Sequence, residues 1–327
     1  NPECRFGGLR VIVNMIGGKN MRLGYACINE TLTNQGIKAN RTAIRRTFLK
    51  KGVEHMANIG LQSSIDLLKI LQWNEENNIK VFRISSNLFP WASEYDLETM
   101  PHIDEIRKAL GAVGQYAREH NHRLSFHPGQ FNCMASPTEK VVRNSIKDLE
   151  IHGKIMDFIG MPRTRLAKIN IHIGGAYGDR DSAMDRFCKN IQLLSPSVLN
   201  RLTVENDDKP NCYSTLMLYK GVFERTGIPI VFDSHHFTLG PQDQDYEEAI
   251  KMAASTWGTV RPVCHHSNSR KKYEDEKASA VSHSQWYYEP FDNCDLDVDV
   301  VLECKKKELA LKKYRNDFGN EMTGLAS

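Results

Sequence analysis

Short apolar runs alternate with longer helical segments from residue 21 onward, and the alternation repeats eight times. Nothing else in the chain restricts the fold as much. Strands that alternate with helices pair in parallel, and each pairing needs a crossover. The runs 21–25, 80–84, 123–127, 167–173, 201–205, 228–233, 260–265 and 297–303 read as strands. Between them, apolar residues at helical spacing predict helices over 41–77, 103–119, 138–159, 182–194, 212–225 and 246–255. Gly60 is expected to break the first helix, and a basic helical tail is expected from Lys305. Eight such units predict an α/β fold, a single (β/α)8 TIM barrel, rather than an open sheet. The expected barrel covers 21–311. It is flanked by an extension over 1–20, with a Gly-Gly pair toward each end, and by a tail over 312–327.

Composition removes several alternatives. No run of about 18 apolar residues exists, so no membrane-spanning helix is expected. The eight cysteines are scattered without a CxxC pair. That pattern reads as reduced thiols in a cytoplasmic or nuclear protein that is not secreted, not as a disulfide framework or a zinc finger. A formal charge of +3 says little about nucleic acid, because distribution matters more than the total. The chain has no Walker loop, no G-x-S-x-G elbow and no dinucleotide fingerprint.

The chemistry lies in where the strands end. The third to eighth expected strands end at His127, His172 (one residue before the last), Glu205, Asp233, His265 and Glu303. In a barrel those ends converge on the face where active sites form. Alternation supports an inward direction: Asn170 and His172 share one face of their strand, and His265 points in while Cys264 points to the helices. His236 and His283 follow on loops at the same face. Ionisable groups crowded into a barrel mouth are costly unless paired, and divalent cations resolve that cost. Eight candidate ligands are too many for one ion, so two or three ions are expected. Mixed nitrogen and oxygen donors suit Mn²⁺ or Zn²⁺ better than Mg²⁺ or Ca²⁺. Glu205, central in chain order, is the expected bridge. Such clusters serve phosphodiester hydrolysis, with Glu205, His172 and Glu303 as the residues expected to carry it.

A family resemblance rests on seven motifs in order: Leu23-Gly24-Tyr25-Ala26-Cys27, Phe82 to Pro90, His127-Pro128-Gly129-Gln130-Phe131, His172 to Gly178, Val204 to Asp208, Asp233-Ser234-His235-His236 and Leu302-Glu303-Cys304-Lys305. Together they resemble the UV damage endonucleases. The resemblance implies a barrel similar to that of endonuclease IV. It implies cleavage of damaged double-stranded DNA immediately 5′ of pyrimidine dimers, 6-4 photoproducts and some abasic sites, by a monomer using Mn²⁺, with Zn²⁺ or Mg²⁺ as alternatives. It implies the ligand set His127, His172, Glu205, Asp233, His236, His265, His283 and Glu303. It further implies that Gln130 and Phe131 wedge into the duplex, and that Tyr25 and Asn29 touch the flipped lesion. Three positions depart from the family: Phe131 stands where a tyrosine is common, Val263 where some members carry lysine, and Asn87 where some carry histidine.

The competing function is a xylose-isomerase-like metal-dependent sugar isomerase or epimerase on the same fold. The Gln130-Phe131 loop and the basic rim argue against it. His235 and His266 are left out of the ligand set. The cations Arg41, Arg45, Arg46, Lys50 and Lys51 read as a solvated face. Arg270, Lys271 and Lys272 are a candidate phosphate contact.

Overall fold

The barrel closes through a single residue. In the computed structural model, which describes residues 21–319, eight strands form: β1 (Met21–Ala26), β2 (Val81–Arg83), β3 (Arg123–Ser125), β4 (Ile169–Ile171), β5 (Leu202–Glu205), β6 (Ile230–Asp233), β7 (Val263–His266) and β8 (Val298–Leu302). All pairings are parallel, in the order β3-β2-β1-β8-β7-β6-β5-β4. Phe126 bridges to Ile169 and completes the ring. Its N–H donates to the Lys168 carbonyl (2.9 Å), and its carbonyl accepts from the Asn170 N–H (3.0 Å). The (β/α)8 expectation holds. The 1–20 extension and the end of the tail lie outside the described residues. No helix among those described is long and apolar enough to cross a membrane.

The helices Ile103–Glu119 and Tyr246–Ser255 match the expectation at both ends. Others differ for physical reasons. The first helix runs Arg45–Glu76 and kinks at Gly52, whose φ of 68° only glycine adopts freely. Gly60 remains helical. A Cβ there would lie 2.4 Å from Phe89 Cδ1, so its role is to admit the loop after β2. The segment expected as one helix over 212–225 is three short turns, Thr215–Leu218, Tyr219–Phe223 and Glu224–Thr226, the middle one a π-helix. The tail boundary at 311 falls inside the helix Lys307–Phe318. That helix is stapled to the barrel. Glu308 accepts from the Glu30 (2.8 Å) and Thr31 (2.7 Å) amides, and the Tyr314 hydroxyl accepts from Phe291 N–H (2.9 Å).

Period-two alternation sorts the strand side chains. Outward positions such as Leu23, Phe82, Leu124, Ile171, Val204, Phe232, Cys264 and Val300 form the large core beneath the helices. Inward positions stack in layers, as barrel interiors do. Part of the interior is apolar, with Ala26, Val81, Val231, Val263 and Val301 packed together with Trp257. The bottom layer is ionic. Asp299 receives Arg22 through two bonds of 2.7 Å, Arg123 at 3.0 Å and Arg261 at 2.9 Å. The top layer carries the candidate ligands.

Asp299 is fully buried and Arg123 nearly so. Removing one partner of a buried pair strands the other charge. Asp299→Ala is therefore expected to destabilise the fold by about 3–5 kcal/mol, read as a lowered urea midpoint. A loss below about 1 kcal/mol, the scale of an exposed pair, would show that this plug does not hold the barrel floor.

Candidate metal centre

Each expected strand-end ligand reaches one chamber at the barrel mouth. Glu205 ends β5, Asp233 ends β6, and His265 sits on β7 opposite Val301 of β8. His127, His172 and Glu303 follow β3, β4 and β8 by one or two residues. His236 enters from the helix Ser234–Leu239, which Asp233 caps by accepting from the His235 (2.7 Å) and His236 (2.8 Å) amides. Asp233 thus ends a strand, starts a helix and presents its other oxygen to the chamber.

Glu205 is the centre. One of its oxygens lies 3.1 Å from His127 Nε2 and 3.0 Å from His265 Nδ1. The other lies 3.2 Å from His236 Nδ1 and 4.0 Å from His172 Nε2. Three overlapping triads offer donor atoms within 4.8 Å of one another: His127, His172 and Glu205; Glu205, Asp233 and His236; Asp233, His265 and Glu303. Glu205 and Asp233 each belong to two. His283 stands at the edge, its Nδ1 3.8 Å from Glu303. Several buried atoms here have no hydrogen-bond partner, among them Glu205 Oε1, Asp233 Oδ2 and His265 Nδ1. Buried polar atoms are normally satisfied. Unsatisfied carboxylate and imidazole atoms aimed at one space fit divalent cations.

The electrostatics follow from burial opposed by pairing. Burial alone would raise the Glu205 carboxyl, but the facing His265 and His127 outweigh it and hold it well below the usual range. Glu303 is also lowered, with Arg83 the main opponent of burial. His127 is pushed down to about 4 by burial. His172 goes the other way, to about 9, because Asp207 and Glu205 outweigh its burial. His236 is raised well above its ordinary value, with Asp233 and Glu205 outweighing burial.

Four supporting residues were not legible beforehand. Arg83, inward on β2, pairs with Glu303. Lys168 extends the inward row of β4, and its ammonium nitrogen lies 3.2 Å from His265 Nε2, leaving Nδ1 to face the chamber. Burial pushes that amine down to about 7. Thr203 donates to Asn170 Oδ1 (2.7 Å), and Asn170 in turn donates to Glu205. Asp207 lies 3.3 Å from His172 Nδ1. The period-two rows that located the ligands contain Arg83, Lys168 and Thr203 as well. His266 faces away, bonded to Ser234 (2.7 Å) and stacked on Tyr287.

Two lesion contacts implied by resemblance are corrected. Tyr25 and Asn29 are fully buried. Gly24 and Ala26 take the inward positions of β1, so Tyr25 faces the helices. Its ring packs on Phe82, and its hydroxyl donates to Asn74 (2.7 Å) and accepts from Asn29 (2.9 Å). Asn29 caps the next helix by accepting from Leu32 N–H (2.8 Å). Gln130 and Phe131 stand on the loop after β3, both exposed, with Phe131 84% accessible.

A family model described as UV-endonuclease UvdE matches residues 21–324. The UV-damage endonuclease of Schizosaccharomyces pombe is 34% identical over 306 residues, covering 89% of this chain and 49% of that protein. The chain therefore spans about half the length of that relative. The UV DNA damage endonuclease of Clostridium perfringens is 30% identical over 307 residues, covering 91% of this chain and 71% of that one. The crystal structure of SacUVDE superposes with a TM-score of 0.79 at 29% identity, covering 92% of this chain and 98% of that one. Endonuclease IV from Thermus thermophilus shares the fold, with a TM-score of 0.53 at 13% identity over 92% of this chain and 100% of that one.

The buried position of Tyr25 sets a test. Tyr25→Phe leaves Asn74 Oδ1 without its donor, which costs about 1–3 kcal/mol of stability. A lowered urea midpoint is the expected result. Unchanged stability would show that the hydroxyl is not tied into the β1–helix junction.

Proposed function

The chain belongs to the UV-endonuclease family, and from that premise we propose that it hydrolyses DNA immediately 5′ of UV photoproducts. The substrates in this reading are pyrimidine dimers, 6-4 photoproducts and some abasic sites in double-stranded DNA. The agent is a cluster of two or three divalent ions, Mn²⁺ first, with Zn²⁺ or Mg²⁺ as alternatives. The protein acts as a monomer in the cytoplasm or nucleus.

One observation carries the proposal: the Glu205 carboxylate lies within 4.0 Å of four imidazoles and keeps a buried oxygen unsatisfied. His127, His172, Glu205, Asp233, His236, His265 and Glu303 would hold the ions, with His283 as an outer ligand. When bound, the ions would supply a hydroxide nucleophile at neutral pH and positive charge against the phosphate. The chain's own groups arrange that chemistry. Asp207 orients the His172 ring, and Lys168 fixes which nitrogen of His265 faces in, as partners behind metal-binding histidines do. Asn170, braced by Thr203, holds Glu205 so that it can bridge. Arg83 balances Glu303 at the rim. On the adjoining loop, the exposed Phe131 ring suits stacking against bases, which needs only a ring face. Gln130 beside it carries an amide for probing base edges. Extrusion costs least at a damaged site, which contributes selectivity.

Two outcomes test this reading. Glu205→Gln keeps the shape but removes the bridging charge. It should lower Mn²⁺ content, measured by elemental analysis, and reduce nicking of irradiated plasmid at least about 100-fold, the upper range for losing a mere supporting partner. Full nicking by this variant would refute the assigned centre. The second test uses proton linkage. His172, raised to about 9, carries a proton at neutral pH and must lose it to ligate, and the upward shift of His236 acts in the same direction. Mn²⁺ affinity should therefore climb as pH rises toward 9. Calorimetry in buffers of different ionisation enthalpy should detect released protons. Affinity flat with pH, with no proton release, would contradict the ligand assignment.

A further inference from the structure

Beside the metal centre lies a groove of about 740 Å³. Its floor is the loop after β2, including Asn87, Phe89 and Trp91. One wall runs from the loop after β3, with Gly129 and Phe131, into the helix Glu139–Ile159, with Lys147, Asp148 and Ile151, and the other is the segment at Thr42 and Ala43. Trp91 Nε1 donates to the Ala43 carbonyl (2.7 Å) and ties floor to wall. All three segments follow strand C-terminal ends or lead into the helix Arg45–Glu76, so the groove opens on the face that carries the cluster.

Its far rim is a basic ledge. Arg45, Arg46, Lys50 and Lys51 fall within seven residues, and all four are exposed. None of them makes an ion pair among the described residues, whereas the nearby Arg41 is engaged by Asp66. Arg45 lies over the Trp91 ring at 6.0 Å, and Phe48 stacks on the same ring. Arg45 and Arg46 do nothing for the helix they begin. They stand in its first turn, where the dipole disfavours positive charge, with no acidic residue in that turn and no side-chain cap. Ile44 and Leu49 beside them are 69% and 70% exposed. A segment that breaks local rules without a structural return points to an outside partner. Two acids, Glu94 and Asp148, also line the groove; Asp148 is held by Asn132 (2.8 Å).

The loop bearing Phe131 leaves β3 at His127, a member of the cluster, and then forms the near wall of the groove. It separates the two sites. A polyanion laid across this face would therefore meet the metal centre on one side of Phe131 and the basic ledge on the other. We infer that the groove and the ledge at Arg45, Arg46, Lys50 and Lys51 seat the phosphate backbone of the DNA strand that is not cut. The inference rests on the nuclease reading above and extends it to the second strand. Four unpaired cations, aromatic rings and side-chain amides match the chemistry by which proteins hold a nucleic-acid backbone.

The test is binding of a short duplex with one photodimer, followed by fluorescence anisotropy across a range of KCl with Mn²⁺ omitted. Each phosphate contact contributes about 0.9 to the slope of log K against log salt. The variant Arg45→Ala/Arg46→Ala/Lys50→Ala/Lys51→Ala should flatten that slope by about 2–4. Lys50→Ala/Lys51→Ala alone should flatten it by about half as much. Lys312→Ala/Lys313→Ala, on the last helix, should leave it unchanged. Strand assignment comes from neutral methylphosphonates. Placed in the uncut strand, they should weaken binding by the wild-type protein and make no further difference to the ledge variant. Placed in the cut strand, they should weaken both. An unchanged slope in the ledge variant, or a ledge variant that still responds to the uncut strand, overturns the inference. Failure of the nuclease reading looks different: the wild-type protein would then leave irradiated plasmid intact in Mn²⁺, whatever the ledge does.

Discussion

A carboxylate as deeply enclosed as that of Glu205 must be compensated, because an isolated buried charge is far more costly than any single packing contact. The surrounding architecture supplies that compensation from five directions: Asn170 on β4, His127 after β3, His172 after β4, His236 on a helix that Asp233 caps, and His265 on β7. Each of these depends on a strand ending at the right height. The position of Glu205 is therefore a constraint on the whole ring, since moving any of these strands by one residue would turn its contributor outward.

The barrel interior answers the same demand twice. At the floor, one aspartate is met by three guanidinium groups, so its buried charge is fully compensated within the protein. At the mouth, carboxylates and imidazoles are only partly matched, and several atoms remain without partners. A small apolar cluster of alanine and valines packs inside the barrel along with them. The floor holds the ring together, while the mouth stays reactive. This division of labour follows the general rule that barrel chemistry sits at the C-terminal strand ends and stability at the opposite face.

Much of this was legible in the chain. Strand ends could be read from apolar runs, and alternation then gave direction, so six candidate ligands were placed before any geometry, with His236 and His283 added from the loops that follow. Where alternation was not applied, the reading failed. Tyr25 took its role from resemblance, although its neighbours Gly24 and Ala26 already claim the inward side. Arg83 and Lys168 lie on rows that were read only at their ends. Asp207 was beyond such reading, because its approach to His172 depends on how two loops pack. The helix kink was misplaced for a similar reason: Gly52 and Gly60 look alike in sequence, and only the arrival of Phe89 explains why the second must stay helical.

The closure through Phe126 has a mechanical meaning. Every other junction of the ring has two or more residue pairs in register, while β3 and β4 are joined by one bridging residue and its two hydrogen bonds. That seam is the barrel's least reinforced edge. His127 and His172 extend from these same two strands and converge on Glu205. A cation held by both side chains would act as a rivet across the seam, so that filling the chamber would also tighten the cylinder.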